Sequence, residues 1–241
     1  MTTELSLLVD NEAALDGRPT TATAVYQRIK DDILAGRLAP GLKLRIEFMS
    51  ARYGIGTSPI REALSRLSSE GIVIRYEQRG FCVAPISLDE LREITKTRCW
   101  LETVALRESI ANANASWEDA LVVAYHRLSR TNRFLLDAES TLNPAWEEQH
   151  ATFHEALIAN CGSHLLRRYC RDLRDQSYRY RMLAAPSKPP GGEIEHKAIF
   201  EATIGREVER AVELLNAHYH ITQTIVERHL AEMADKPASN K

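Results

Sequence analysis

The stretch TSPIREALSRLSSEG, residues 57–71, decides the fold of the N-terminal third of this chain. Ile60, Ala63, Leu64 and Leu67 recur at helical spacing, and Gly71 stops the run. Pro59 is read as the first residue of a helix capped at Ser58, a position where its missing backbone donor costs nothing. Upstream, Gly54-Ile55-Gly56 turns the chain after a short helix from Ile46 to Tyr53. Before that, Val25, Ile29, Ile33 and Leu34 form one apolar face of a first helix ending near Gly36, and Pro40-Gly41 is a turn signal. Downstream the period shortens: Ile72-Val73-Ile74 and Phe81-Cys82-Val83, joined by polar residues ending in Gly80, predict a hairpin. Three helices followed by a two-stranded wing make a winged helix-turn-helix. Such a module lays the helix after the turn in the DNA major groove, which is wide enough for a helix and distinguishes every base pair. On this reading Arg61 and Arg66 lie on the groove helix and Arg79 sits at the wing tip.

From Ser87 onward the chain reads as helix after helix. Ser87-Leu-Asp-Glu90 is a capping box before a helix to about Ala113, and Ser116-Trp-Glu-Asp119 resembles one before a helix to about Ala138. Asn143-Pro144 opens a third, stopping near Cys161-Gly162; Ser163 starts a fourth, to about Ala185; Pro186 to Gly192 is a loop. Glu193 to Gly205 and Glu207 to Ala234 complete the set, with no strand pattern after Val83. The expected fold is mainly α: a tail over 1–22, a winged domain over 23–86, an antiparallel helical bundle over 87–234 and a tail over 235–241.

Composition narrows the class. Of 241 residues 44% are apolar and 27% charged, a globular balance, and no stretch approaches the roughly 18 apolar residues of a membrane helix. A cytoplasmic protein is expected. Cys82, Cys99, Cys161 and Cys170 are scattered without a CxxC pair, which implies neither a disulfide framework nor a cysteine zinc site. The net charge of −2 conceals a basic module, since residues 23–86 hold ten Lys and Arg against six Asp and Glu. That is the distribution of a chain that binds nucleic acid with one module and does something else with the rest.

His150 and His154 project from one helix face a turn apart, a spacing that can grip one metal ion, and His196 and His218 lie on the inward pattern of the last two helices. The four could converge on a divalent cation; the bland alternative is a pair covering a helix surface. His150-Ala-Thr-Phe-His154 lacks the glutamate of a metalloprotease HExxH motif. Glu147-x-x-His150 and Glu193-x-x-His196, with Glu102, fit a di-iron carboxylate bundle, the competing enzyme reading, but leave His154 and His218 redundant and the winged module unexplained. Arg98 could offer an anion a fixed fork, or simply pair with Glu102 one turn on. Arg167, Arg168, Arg171, Arg174, Arg179 and Arg181, interleaved with tyrosines, look like a nucleic-acid patch, but also suit the polar face of a long amphipathic helix with one or two arginines turned inward.

Pro40-Gly41-x-Lys-Leu, Ser58-Pro-Ile-Arg-Glu-Ala-Leu64 and Leu67 to Gly71 resemble the DNA-binding domain of GntR-type bacterial regulators. Arg98 to Glu102, Phe153-His154, Glu195-His196 and His218 resemble the FadR-like branch with its FCD effector domain. Cys161-Gly162-Ser163-His164 and Arg52 to Gly56 look nearest to the carbon-starvation-induced regulators of glutarate and 4-aminobutyrate catabolism. The resemblance implies a homodimeric, ligand-responsive regulator, more often a repressor, that binds double-stranded operator DNA, with Arg45, Thr57, Ser58, Arg61 and Gly80 at contact positions. It also implies a metal site of one Asp and three His, the last three falling on His154, His196 and His218 and the Asp on His150. The metal would be zinc, with nickel or manganese as alternatives. Its partner would be a small carboxylate, a glutarate-like dicarboxylate among the candidates, with Arg98 as a contact. The usual Ser-Arg ahead of the helix proline is replaced by Thr57-Ser58, so the operator sequence does not transfer from relatives.

Overall fold

The computed structural model describes residues 20–77, 79–135, 138–184 and 192–234; the expected tails over 1–19 and 235–241, and the loop over 185–191, lie outside them. Helix α1 (Thr21–Leu34) begins inside the stretch read as tail, with Thr20 accepting from the Thr23 amide at 3.2 Å and Ala22 buried. Helices α2 (Ile46–Tyr53) and α3 (Thr57–Ser69) follow, separated by Gly54 in the left-handed region at φ 66°, which closes α2 and redirects the chain. Ser58 is not the cap of α3. The helix starts two residues earlier, capped on Gly56, so Pro59 occupies its third position, where the amide it lacks is still one of the unpaired first-turn donors. Ile60, Leu64 and Leu67 are fully buried against α1, each contributing roughly 1.5–3 kcal/mol.

The wing has three strands rather than two. Strands β2 (Val73–Tyr76) and β3 (Gly80–Val83) pair antiparallel as expected, and a two-residue strand β1 (Lys43–Leu44) adds to the other edge of β3, Leu44 opposite Phe81.

The second domain is built from α4 (Leu88–Ala111), α5 (Ala115–Arg130), α6 (Pro144–Leu157), α7 (His164–Leu183), α8 (Gly192–Ile204) and α9 (Val208–Ala234). Ser87, Asn114, Asn143 and Ser163 cap α4 to α7 through side-chain oxygens. Three expectations fail here. Helix α5 is capped by Asn114, whose side chain accepts from the Trp117 amide at 3.0 Å, so the expected cap Ser116 lies inside the helix. The α5 helix ends at Arg130 instead of about Ala138, because the Thr131 hydroxyl donates to the Arg127 carbonyl at 2.8 Å and Thr131 turns extended. Strands β4 (Phe134–Leu135) and β5 (Ala138–Leu142) then pair in a short hairpin where no strand was expected. Asn143 closes it, its amide donating to the Arg133 carbonyl at 2.9 Å and its side chain to that of Asn132 at 2.8 Å.

Helix α7 joins the domains. Lys30 on α1, buried, meets Glu70 at 2.8 Å and Asp175 on α7 at 2.8 Å, and the Gln176 side chain donates to the Glu70 carbonyl at 2.8 Å. Gly71, at φ 74°, has space for no more: a Cβ there would lie 3.0 Å from Gln176 Nε2. The linker after β3 is held from the same helix, since Arg179 donates to the Ala84 carbonyl and the Ser87 amide donates to the Tyr180 hydroxyl at 3.4 Å. Burial alone would depress the Lys30 ammonium, but Asp175 and Glu70 outweigh it and hold its pKa above the usual lysine value. A cation stabilised in this sense contributes fully below the unfolded lysine pKa and is lost only as pH rises through the higher folded one, so the junction is intact across neutral pH. Lys30→Ala strands two partly buried carboxylates, and urea titration at pH 7 should show a loss of about 3 kcal/mol.

Candidate functional site

At the pole formed by the start of α2, the first turns of α3 and the wing, Arg45, Thr57, Ser58, Arg61, Arg79 and Gly80 are all exposed. An open groove between β1 and the wing brings Arg45, Arg79 and Gly80 beside Lys43, which the sequence reading overlooked because a two-residue strand has no period to detect. Arg66, also exposed on α3, is held differently from these. Its guanidinium lies 4.1 Å over the Tyr26 ring and 3.5 Å from the Thr23 hydroxyl, so it is folded back onto α1 and packs rather than reaching outward.

The second site lies in the helical domain. His150 and His154 on α6, His196 on α8 and His218 on α9 are buried, with one ligand atom from each lying within 4.8 Å of all the others. His150 Nε2 and His154 Nε2 are 3.2 Å apart, a hydrogen bond in which one nitrogen carries a proton and the other a lone pair. The outward nitrogens have partners: His218 Nδ1 meets Glu195 at 2.7 Å, and His154 Nδ1 meets the Tyr219 hydroxyl at 3.2 Å. These second contacts orient the rings and leave Nε2 of both facing inward. Burial, reinforced by neighbouring cationic groups, pushes His150 and His154 well below the usual histidine range and His218 down to about 3. Those three rings are therefore uncharged at neutral pH.

Two clefts flank this cluster. One is bordered by Arg98, Arg174, Ser177, Arg181 and Gln223, the other by Arg133, Trp146, Arg181, Glu195 and Ile221; His150 and His218 face both. Arg98 is not a free fork. It donates to Glu102 at 2.9 Å in a fully buried pair, Glu102 also accepts from Tyr219, and the guanidinium stacks 4.1 Å over the Tyr219 ring. Glu147 pairs with Arg181 at 2.7 Å. With Glu102 and Glu147 held by arginines, and no carboxylate in the convergent ligand group among the described residues, the di-iron constellation is not assembled; the side chain of Glu193 lies outside those residues. Three arginines of α7 turn inward, Arg174, Arg179 and Arg181, while Arg167, Arg171 and Arg174 converge on Glu155. That disposition is an amphipathic helix, not a nucleic-acid patch.

Residues 21–83 match the bacterial regulatory proteins of the gntR family, and residues 93–220 match the FCD domain. The chain belongs to the GntR family, in the branch that carries an FCD domain. It is 40% identical to the HTH-type transcriptional regulator BphR of Paraburkholderia xenovorans (strain LB400) over 84% of each chain. To the HTH-type transcriptional repressor GlaR of Escherichia coli (strain K12) it is 32% identical over 86% of this chain and 96% of that one. Among solved structures, E. coli McbR/YncC aligns with a TM-score of 0.69 at 17% identity over 90% of this chain and all of the other. A GntR regulator from Rhodococcus sp. RHA1 aligns with the same score at 18% identity over 87% of this chain and 99% of its own. These two likenesses support the fold. The protein is a DNA-binding transcriptional regulator and not an enzyme, and among its described residues no helix is long and apolar enough to cross a membrane.

The two arginines of α3 should separate experimentally. Arg61→Ala should weaken binding to the gene's own upstream fragment about tenfold or more in a gel-shift titration, with unfolding unchanged. Arg66→Ala should instead lower the unfolding midpoint and change affinity little.

Proposed function

We propose that this regulator is a cytoplasmic, homodimeric repressor of a catabolic operon, released from its operator by a small carboxylate that binds beside a divalent metal in the helical domain. Zinc is the favoured ion, nickel and manganese the alternatives, and His150, His154, His196 and His218 its ligands. The single observation that carries this reading is the buried convergence of four imidazoles, of which at least three are uncharged. Neutral imidazole nitrogens at this separation fit an ion with nitrogen bonds of about 2.0–2.1 Å after a modest inward movement of the rings. The ion would supply a positive charge for an anionic ligand, undiminished by any carboxylate because position 150 holds an imidazole.

The chain's own residues position that ligand and report its presence. Arg98, held rigid by Glu102 and Tyr219, presents the rest of its guanidinium at the edge of the first cleft beside Ser177 and Gln223. Arg174, in the same cleft, is shared with Asp175 at 3.2 Å, and Asp175 holds Lys30 of the DNA-binding domain. An anion that recruits Arg174 alters the charge balance at Asp175, and with it the interdomain junction. Operator release follows if the ligand prefers the arrangement that binds DNA poorly. Dimerisation sets two α3 helices on the half-sites of a palindrome, and the outward face of α4, with Trp100 and Val104 exposed, is the surface for it.

Elemental analysis of the purified protein should find about one metal ion per chain, and His154→Ala should lose it; full retention by the variant would overturn the histidine site. Members of a panel of C4 to C6 carboxylic acids should raise the thermal midpoint of the wild type. No response to any of them would contradict the effector class.

A further inference from the structure

Of the four arginines that border the two clefts, three are already neutralised: Arg98 by Glu102, Arg174 by Asp175 and Glu155, and Arg181 by Glu147. Arg133 is not. No carboxylate of the described residues lies within ion-pair distance of it, and its Nε is buried without a hydrogen-bond partner. Its guanidinium lies 5.1 Å from the Trp146 ring centroid and 5.6 Å from that of Phe134. Its backbone is pinned where the β4–β5 hairpin closes on Asn143, so the side chain is aimed by the fold and not left to swing. A half-buried guanidinium with an unpaired Nε and no close carboxylate gains from an anion that completes it.

The surroundings indicate where such an anion comes from. The Trp146 ring that Arg133 rests on also stacks on His150 at 4.6 Å, and Arg133 lines the same cleft as His150, His196 and His218. Beyond it the cleft is walled by Ile221, Ile225 and Val226 of α9. Aliphatic walls between Arg133 and an ion held by the neutral histidines would suit a short apolar chain with an anionic group at each terminus.

We propose that Arg133 binds a second anionic group of the ligand whose first carboxylate lies at the histidine cluster, making Arg133 the residue that selects diacids over monoacids. This rests on the carboxylate reading of the cluster and extends it to a residue on a different element and a different cleft.

A matched pair of probes tests it. Isothermal titration of the full-length protein, as purified, with glutarate and with pentanoate should show the diacid binding roughly ten- to a hundredfold tighter. Arg133→Leu should abolish that preference by weakening glutarate alone, with pentanoate binding and the thermal midpoint kept. Arg133→Lys, which retains the charge, should restore part of the preference. Equal affinity of the wild type for the two acids, or an equal loss of both in Arg133→Leu, would overturn the assignment and leave Arg133 a packing residue. If the wild type binds neither acid, the carboxylate reading falls first and takes this one with it.

Discussion

Helix α7 is packed on two sides at once while carrying charges at most of its turns, and each charge turned inward has to find a partner. The solution divides the helix by its own period. Arg174, Ser177 and Arg181, at i, i+3 and i+7, look toward the histidines; Asp175, Gln176 and Arg179 look toward the DNA-binding domain and its linker. Because the partners of the second set are Lys30, the Glu70 carbonyl and the Ala84 carbonyl, satisfying these polar groups is the same act as docking one domain on the other. The linker of about four residues is therefore not a hinge, and a displacement of α7 is felt at α1 and α3 together.

The other face obeys a complementary rule. Imidazoles this close cannot all be charged, and burial keeps at least three of them neutral. The guanidiniums around them strengthen that tendency while being compensated one by one by Glu102, Glu147, Asp175 and Glu155. What results is a cluster of lone pairs inside a cationic frame whose charges are mostly spent. An arrangement of that kind has no evident role in stability alone, since apolar side chains would fill the same space at less cost.

Much of this was legible in the residues. Glycine stops, the Ser87 and Ser163 caps and the Asn143-Pro144 start located most helix ends because each acts through a local backbone requirement. The α3 start was misplaced by two residues because Ser58 has the chemistry of a cap while Gly56 occupies the cap position. The end of α5 was missed for a different reason: Leu128 and Leu135 are seven residues apart, which continues a helical stripe, and only the competition of the Thr131 hydroxyl for a carbonyl breaks it. The histidine pair was visible from its i, i+4 spacing, whereas Arg133 and Arg181 were invisible as neighbours of the site, since they meet it only through tertiary packing. Arg66, the reverse case, sits on the right helix but on the face that Tyr26 claims.

The account holds that occupancy of the histidine-lined cleft and affinity for DNA are two readings of one α7 position. The most direct measurement is the coupling between them: operator affinity by fluorescence anisotropy across a titration of the tightest-binding carboxylate, in the wild type and in Asp175→Asn. The account predicts that ligand weakens operator binding at least fivefold in the wild type, as expected for a coupling of about 1 kcal/mol or more, and that the variant binds the ligand equally well with most of this effect gone. Ligand that binds while leaving operator affinity unchanged, or coupling that survives intact in the variant, would contradict it.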